Sequence, residues 1–189
     1  MNYFKIRSNF MRLVFAIFLV ACCNFTFATE VEPNDETPQV ISFSETIVGQ
    51  LSSITDVDKF SVVASTAGTI TLSFSSDESS GNEWDVQLLD SSNNLLSSTV
   101  CGFSDCKSGI SVPVGIASPG TYTVNVKSNG TYNDSYLPEG LYRLTATYST
   151  QMSGVEIEIN DVSPQSIDFG ETIVGQLSSI TDVDKFSVV

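Results

Sequence analysis

Histidine is absent from this sequence. Without it there is no Ser-His-Asp or Cys-His catalysis, and a catalytic zinc site is strongly disfavoured. Basic residues are scarce: Lys and Arg total 8 against 22 Asp and Glu, a net charge of −14. Three of the eight (Lys5, Arg7 and Arg12) fall in the first 28 residues, where no acid occurs, so the remainder carries −17. That charge repels nucleic acid and anionic lipid and excludes both as partners. It suits a soluble extracellular protein, or one that holds cations. Long helical periodicities are also missing. Ser, Thr, Val and Ile are abundant instead, which is the composition of an all-β secreted protein.

Residues 1–28 read as a secretory signal. Its positive start precedes an apolar run over 13–21, and Thr26 and Ala28 place small residues before a cleavage site after Ala28. The run is too short for a membrane-spanning helix, so no membrane insertion is expected once the signal is removed. An alternative is a lipoprotein: Leu19, Val20, Ala21 and Cys22 resemble a lipobox, which would anchor the chain at the cell surface through Cys22.

Short alternating segments follow. Residues 45–51, 59–63, 69–74, 84–89, 95–100, 108–114, 121–126 and 141–148 read as strands with turn signals between them. Phe60 and Val62 share one face; so do Ile70, Leu72 and Phe74, then Tyr122, Val124 and Val126, then Tyr142, Leu144 and Ala146. About eight strands of this kind predict an antiparallel β-sandwich over 29–149. Asp56, Val57 and Asp58 read as an acidic turn, and 150–155 as a linker.

The chain then repeats itself. Residues 171–189 are identical to 45–63, and 158–189 match 32–63 at 26 of 32 positions, an offset of 126 residues. Residues 156–189 are therefore the start of a second copy. It stops after two or three strands, too few to form a core, so a fragment or truncated reading frame of a longer modular protein is expected. The identity of the two segments also allows exchange between chains, a swapped dimer through 171–189.

Two residue groups could carry chemistry. Glu30, Glu32, Asn34 and Asp35 put four oxygen-bearing side chains into six residues, and Asp56 and Asp58 could complete a shell for Ca²⁺, which takes six to eight oxygens. The alternative is a solvated acidic face with Asn34 or Asp35 capping a turn. The EF-hand pattern is absent. Cys101 and Cys106, the only cysteines outside the leader, predict a disulfide across a hairpin between the strands at 95–100 and 108–114. Nothing pairs a nucleophile with a base, so the chain is not expected to be an enzyme.

The opening acidic phrase, Gly49 before a strand, Asp56 to Phe60, Trp84 to Asp90 and Pro119 to Val124 together resemble the bacterial pre-peptidase C-terminal domain, a relative of collagenase collagen-binding domains. The resemblance covers 30–148 as one copy and 156–189 as the start of another. It implies a jelly-roll-like β-sandwich without catalytic activity. In the collagen-binding relatives a segment like 30–35 holds calcium with acids of an early loop, which implies Glu30, Glu32, Asn34, Asp35, Asp56 and Asp58 as ligands here. No peptidase precedes the domain, so collagen binding does not carry over. The expected function is a calcium-stabilised spacer or adhesion module of an exported, repeat-containing protein. The alternative is a substrate-targeting or propeptide-like accessory domain of a secreted peptidase. The partner would be an unidentified extracellular protein or polysaccharide.

Overall fold

The computed structural model describes residues 27–77, 82–130, 137, 138, 140–151, 154–161 and 163–189. The leader with its lipobox Cys22 lies outside them, apart from Phe27 and Ala28. Among the described residues no helix is long and apolar enough to cross a membrane.

Period-2 alternation builds two sheets that face each other. The first copy supplies β1 (Phe27–Thr29), β2 (Gln39–Val40), β3 (Thr46–Gly49), β4 (Val57–Ala64), β5 (Gly68–Ser76), β6 (Trp84–Leu89), β7 (Leu95–Cys101), β8 (Ile110–Ile116), β9 (Gly120–Ser128) and β10 (Tyr142–Ser149). The second supplies β11 (Ile157–Glu158), β12 (Gln165–Ile167) and β13 (Phe186–Val188). One sheet runs β1-β3-β10-β5-β8-β11 and the other β2-β4-β9-β6-β7, with β12 and β13 paired apart. The fold is an all-β sandwich, as the alternation predicts. Its central pairings are antiparallel, while β1–β3, β2–β4 and β11–β8 are parallel. Among the described residues the first copy has ten strands rather than about eight, because β1 and β2 are too short to show alternation.

The core lies between the sheets. Phe60, Val62, Ile70, Leu72, Phe74, Tyr122, Val124, Val126, Tyr142, Leu144 and Ala146 all point into it, as expected. Trp84 sits at its centre, with Phe74 and Tyr142 at centroid separations of 5.5 and 5.4 Å. These ring pairs add to the area each aromatic buries.

Two expectations need correction. Cys101 and Cys106 are bonded to each other, but not across a hairpin. β7 and β8 belong to different sheets, and a short helix, α1 (Phe103–Ser108), carries Cys106 over the end of the sandwich between them. Asp58 is not in a turn either. It is the second residue of β4, and its side chain is fully buried. The Asp-x-Asp pattern hides a strand start, because alternation sends Asp58 and Phe60 to the same inward face.

The second copy has no such core among the described residues. Phe60 is 0% exposed and its duplicate Phe186 is 40% exposed; Phe169 and Ile180 are also on the surface.

Candidate metal centre

The opening acids form a clasp that begins where the edge of the sheet ends. The Glu30 N–H donates to the Val48 carbonyl, 3.0 Å, which fixes Glu30 beside β3. Glu30 Oε1 accepts from Asn34 Nδ2 at 2.9 Å and Oε2 from the Gln50 N–H at 3.0 Å. Glu32 Oε2 accepts from the Asn34 N–H at 2.9 Å. Asn34 Oδ1 accepts from the Lys59 N–H and Asp35 Oδ1 from the Val57 N–H, each at 3.1 Å. These two bonds tie the segment to the start of β4. Asp56 Oδ2 accepts from the Ser52 N–H at 2.5 Å.

The chain so folded brings one carboxylate oxygen each from Glu30, Glu32 and Asp58 within 4.8 Å of one another. Asn34 is buried and held by hydrogen bonds at both ends of its amide, so it braces the clasp. Asp35 and Asp56 stand around it, each with one oxygen engaged by backbone. All six sequence-predicted residues therefore lie in one region, with Glu30, Glu32 and Asp58 at its centre. A wholly solvated acidic face does not describe them, since Asn34, Asp56 and Asp58 are buried.

The electrostatics are those of acids crowded without a counter-charge. Burial pushes the Asp58 carboxyl up to about 9, reinforced by the carboxylates of Glu30 and Asp56 and opposed by the Tyr142 phenol. Burial also raises Glu32, with Asp56, Glu30 and Asp35 adding to the rise and the Asn34 N–H opposing it. Tyr142 donates to Asp58 Oδ2 at 2.5 Å, whereas no protein donor reaches the buried Asp58 Oδ1, which has only the neighbouring Glu30 carboxylate to share a proton with. A buried carboxylate oxygen left without a donor is costly. It is also the chemistry of a hard-cation ligand.

Sequence reasoning missed three contributors. Alternation puts Tyr142 on the inward face but carries no sign of its bond to Asp58. Gly49 closes β3 rather than preceding a strand, and a Cβ there would stand 2.4 Å from the Tyr142 ring and 2.6 Å from Glu30 Oε2. The third is a second cluster. Adding the 126-residue offset to Glu30, Glu32 and Asp58 gives Glu156, Glu158 and Asp184, and these also lie within 4.8 Å of one another. The repeat alone could have found it.

The second clasp repeats most of these bonds, although no counterpart of the Asn34 N–H to Glu32 bond is among them. Asn160 Nδ2 donates to Glu156 Oε1 at 2.7 Å, the Gln176 N–H to Glu156 Oε2 at 2.9 Å, the Val183 N–H to Asp161 Oδ1 at 3.1 Å and the Lys185 N–H to Asn160 Oδ1 at 3.1 Å. The same local sequence thus folds the same way in both places, the second time against β8 and β7 of the first copy. Its environment differs. Glu158 is buried and pushed up to about 8, by burial first and then by Asp182, Glu156, Asp184 and Asp161. Asp184 rises to about 6, with burial first and Glu156 next.

Comparison with known proteins adds the family. Residues 56–128, from Asp56 to the end of β9, match the family model described as bacterial pre-peptidase C-terminal domain; the match begins after the opening acids. No curated protein sequence matches the chain significantly. Among solved structures the chain is similar to the pre-peptidase C-terminal domain of a collagenase from Bacillus anthracis: 20% identity, TM-score 0.45, covering 58% of this chain and 94% of that one. It is also similar to a Podospora anserina GH26-CBM35 β-(1,4)-mannanase: 18% identity, TM-score 0.32, covering 60% of this chain and 24% of that one. The stretch from residue 56 to residue 128 thus matches the bacterial pre-peptidase C-terminal domain model, in line with the resemblance of its sequence motifs.

Proposed function

We propose that this chain is a non-catalytic β-sandwich module of an exported protein, stiffened by calcium at the opening clasp and serving as a spacer or adhesion module. One observation carries the reading: the fully buried Asp58, whose Oδ1 no protein donor reaches, stands among the carboxylates of Glu30 and Glu32. Glu30, Glu32 and Asp58 would hold the ion, with Asp35 and Asp56 near enough to contribute oxygens. The ion would supply charge compensation and cross-link the segment before β2 to β4. With a charge of −17 outside the leader, it also relieves self-repulsion.

A calorimetric calcium titration with melting curves in calcium and in chelator tests this. Ligand at 100 times its dissociation constant adds about 2.7 kcal/mol of stability, so the midpoint should rise by several degrees. The rise should vanish in a Glu32→Gln, Asp58→Asn variant. Equal midpoints in calcium and chelator would leave the acids a purely structural clasp.

The second reading is an accessory domain of a secreted peptidase, favoured by the family of residues 56–128. A protein of this chain joined to a protease domain, assayed with and without residues 27–151, decides between the two. Loss of activity on large substrates alone supports the accessory role.

A further inference from the structure

Both sheets of the first copy end on the same side, and the second copy sits there. β8 closes one sheet and β7 the other, and strand edges left bare invite pairing. The Gly115 N–H donates to the Glu156 carbonyl at 3.0 Å, and Ile157 and Glu158 pair in parallel with Gly115 and Ile116. Gln176 spans to β7. Its Nε2 donates to the Ser98 carbonyl at 2.6 Å and to Thr99 Oγ1 at 3.0 Å, and its Oε1 accepts from Ser97 Oγ at 3.1 Å.

This shoulder is built for such an occupant. A Cβ on Gly115 would lie 2.2 Å from the Glu156 carbonyl oxygen, and its nearest neighbours all belong to Glu156 and Ile157. A glycine inside a strand marks close approach of another backbone. Pro113, two residues earlier, has no N–H to offer on that same outward side. The open edge is therefore blunted at 113 and left receptive at 115.

The occupant exists twice. Val174, Gly175 and Gln176 duplicate Val48, Gly49 and Gln50, and Glu156 and Glu158 duplicate Glu30 and Glu32, with Ile157 in place of Val31. In the first copy Val31, Glu32 and Gln50 are exposed, beside the opposite edge of the same sheet. We propose that this opening segment docks onto the Gly115 shoulder of a second copy of the chain, and that residues 155–176 are the intramolecular occupant that keeps the shoulder covered. Head and shoulder lie on opposite edges, so the contact is heterologous and propagates head to tail, extending one sheet from copy to copy. In a single chain the tethered tail wins, because its effective concentration is of the order of millimolar.

Sedimentation velocity of the oxidised full chain over a wide concentration range tests this. The unaltered chain should remain a monomer. Gln176→Glu removes the donors to Ser98 and Thr99, uncovers the shoulder and leaves the opening head intact, so its mean mass should rise at least twofold with concentration. Adding Gln50→Glu, or adding Gly115→Ala, should return it to a monomer. The three atoms nearest that alanine's Cβ all belong to Glu156 and Ile157, and an unchanged melting midpoint checks that the sandwich is intact. A Gln176→Glu chain that stays monomeric at every concentration overturns the proposal. So does association that survives Gln50→Glu, which would signify exchange of residues 171–189 instead.

Discussion

Tyr142, at the start of β10, donates its phenolic proton to Asp58 on β4 at 2.5 Å, joining the two sheets through a buried acid. The phenol satisfies Oδ2 and leaves Oδ1 to the clasp. The core and the candidate metal centre therefore share one residue, and any change in Asp58 charge is felt by both.

That sharing sets a pH dependence. In the cation-free protein Asp58 holds its proton up to about pH 9, whereas in the unfolded chain it ionises near 4. Below about pH 4 both states are protonated and the contribution to stability is fully present. Between about 4 and 9 the folded state binds more protons than the unfolded one, so stability falls as pH rises. Melting midpoints in chelator should decline from pH 5 to pH 8. Asp58→Asn should flatten the decline, and saturating calcium should oppose it by taking the place of the proton. A decline of the same slope in the Asn variant would assign it to other groups.

The duplicated phenylalanines offer an internal control. Phe60 and Phe186 lie in identical sequence, yet one is fully buried and the other is 40% exposed. Phe60→Ala should cost about 3–5 kcal/mol, the transfer and cavity terms together. Phe186→Ala should change stability by no more than about 0.5 kcal/mol. Urea unfolding of both variants measures the contrast, and equal losses would mean that the second copy has a core of its own.

Gly49→Ala probes how closely the clasp is built against the core. The new methyl would meet the Tyr142 ring and Glu30 Oε2, both nearer than any ordinary Cβ contact. Overpacking of this kind costs about 1–3 kcal/mol. Because Glu30 must shift, calcium affinity should fall as well. A titration that shows stability reduced with affinity unchanged would place the ion away from Glu30.

Alternation made the sandwich legible. Ile70, Leu72 and Phe74 announce their buried face by period alone, and the same holds for Tyr122, Val124 and Val126. β1 and β2 were not legible, since two or three residues carry no period and their pairing is set by the clasp. Asp58 misled for a physical reason: polar residues at a strand start look like a turn, and only the long-range partner Tyr142 explains its burial. α1 was hidden because the Cys101–Cys106 spacing fits a hairpin as well as a helical turn. The acidic phrase was legible as a set, although Asn34 proved to be a brace. Gly115 and Gln176 had no signal in the sequence, because their meaning lies in the contact between copies.

The Cys101–Cys106 bond ties the end of β7 to α1, where the chain crosses between sheets. Both cysteines are buried against the core. In the chain-entropy description, a loop this short contributes roughly 2 kcal/mol. Replacing both residues by alanine should therefore lower the melting midpoint by roughly 5–10 °C for a domain of this size. The loss should be independent of calcium, because the bond constrains the crossover from β7 to α1 and not the segment from Glu30 to Asp35. Melting curves of the double variant, with calcium and with chelator, check both statements. A variant that also loses its response to calcium would show that the crossover and the clasp form one cooperative unit.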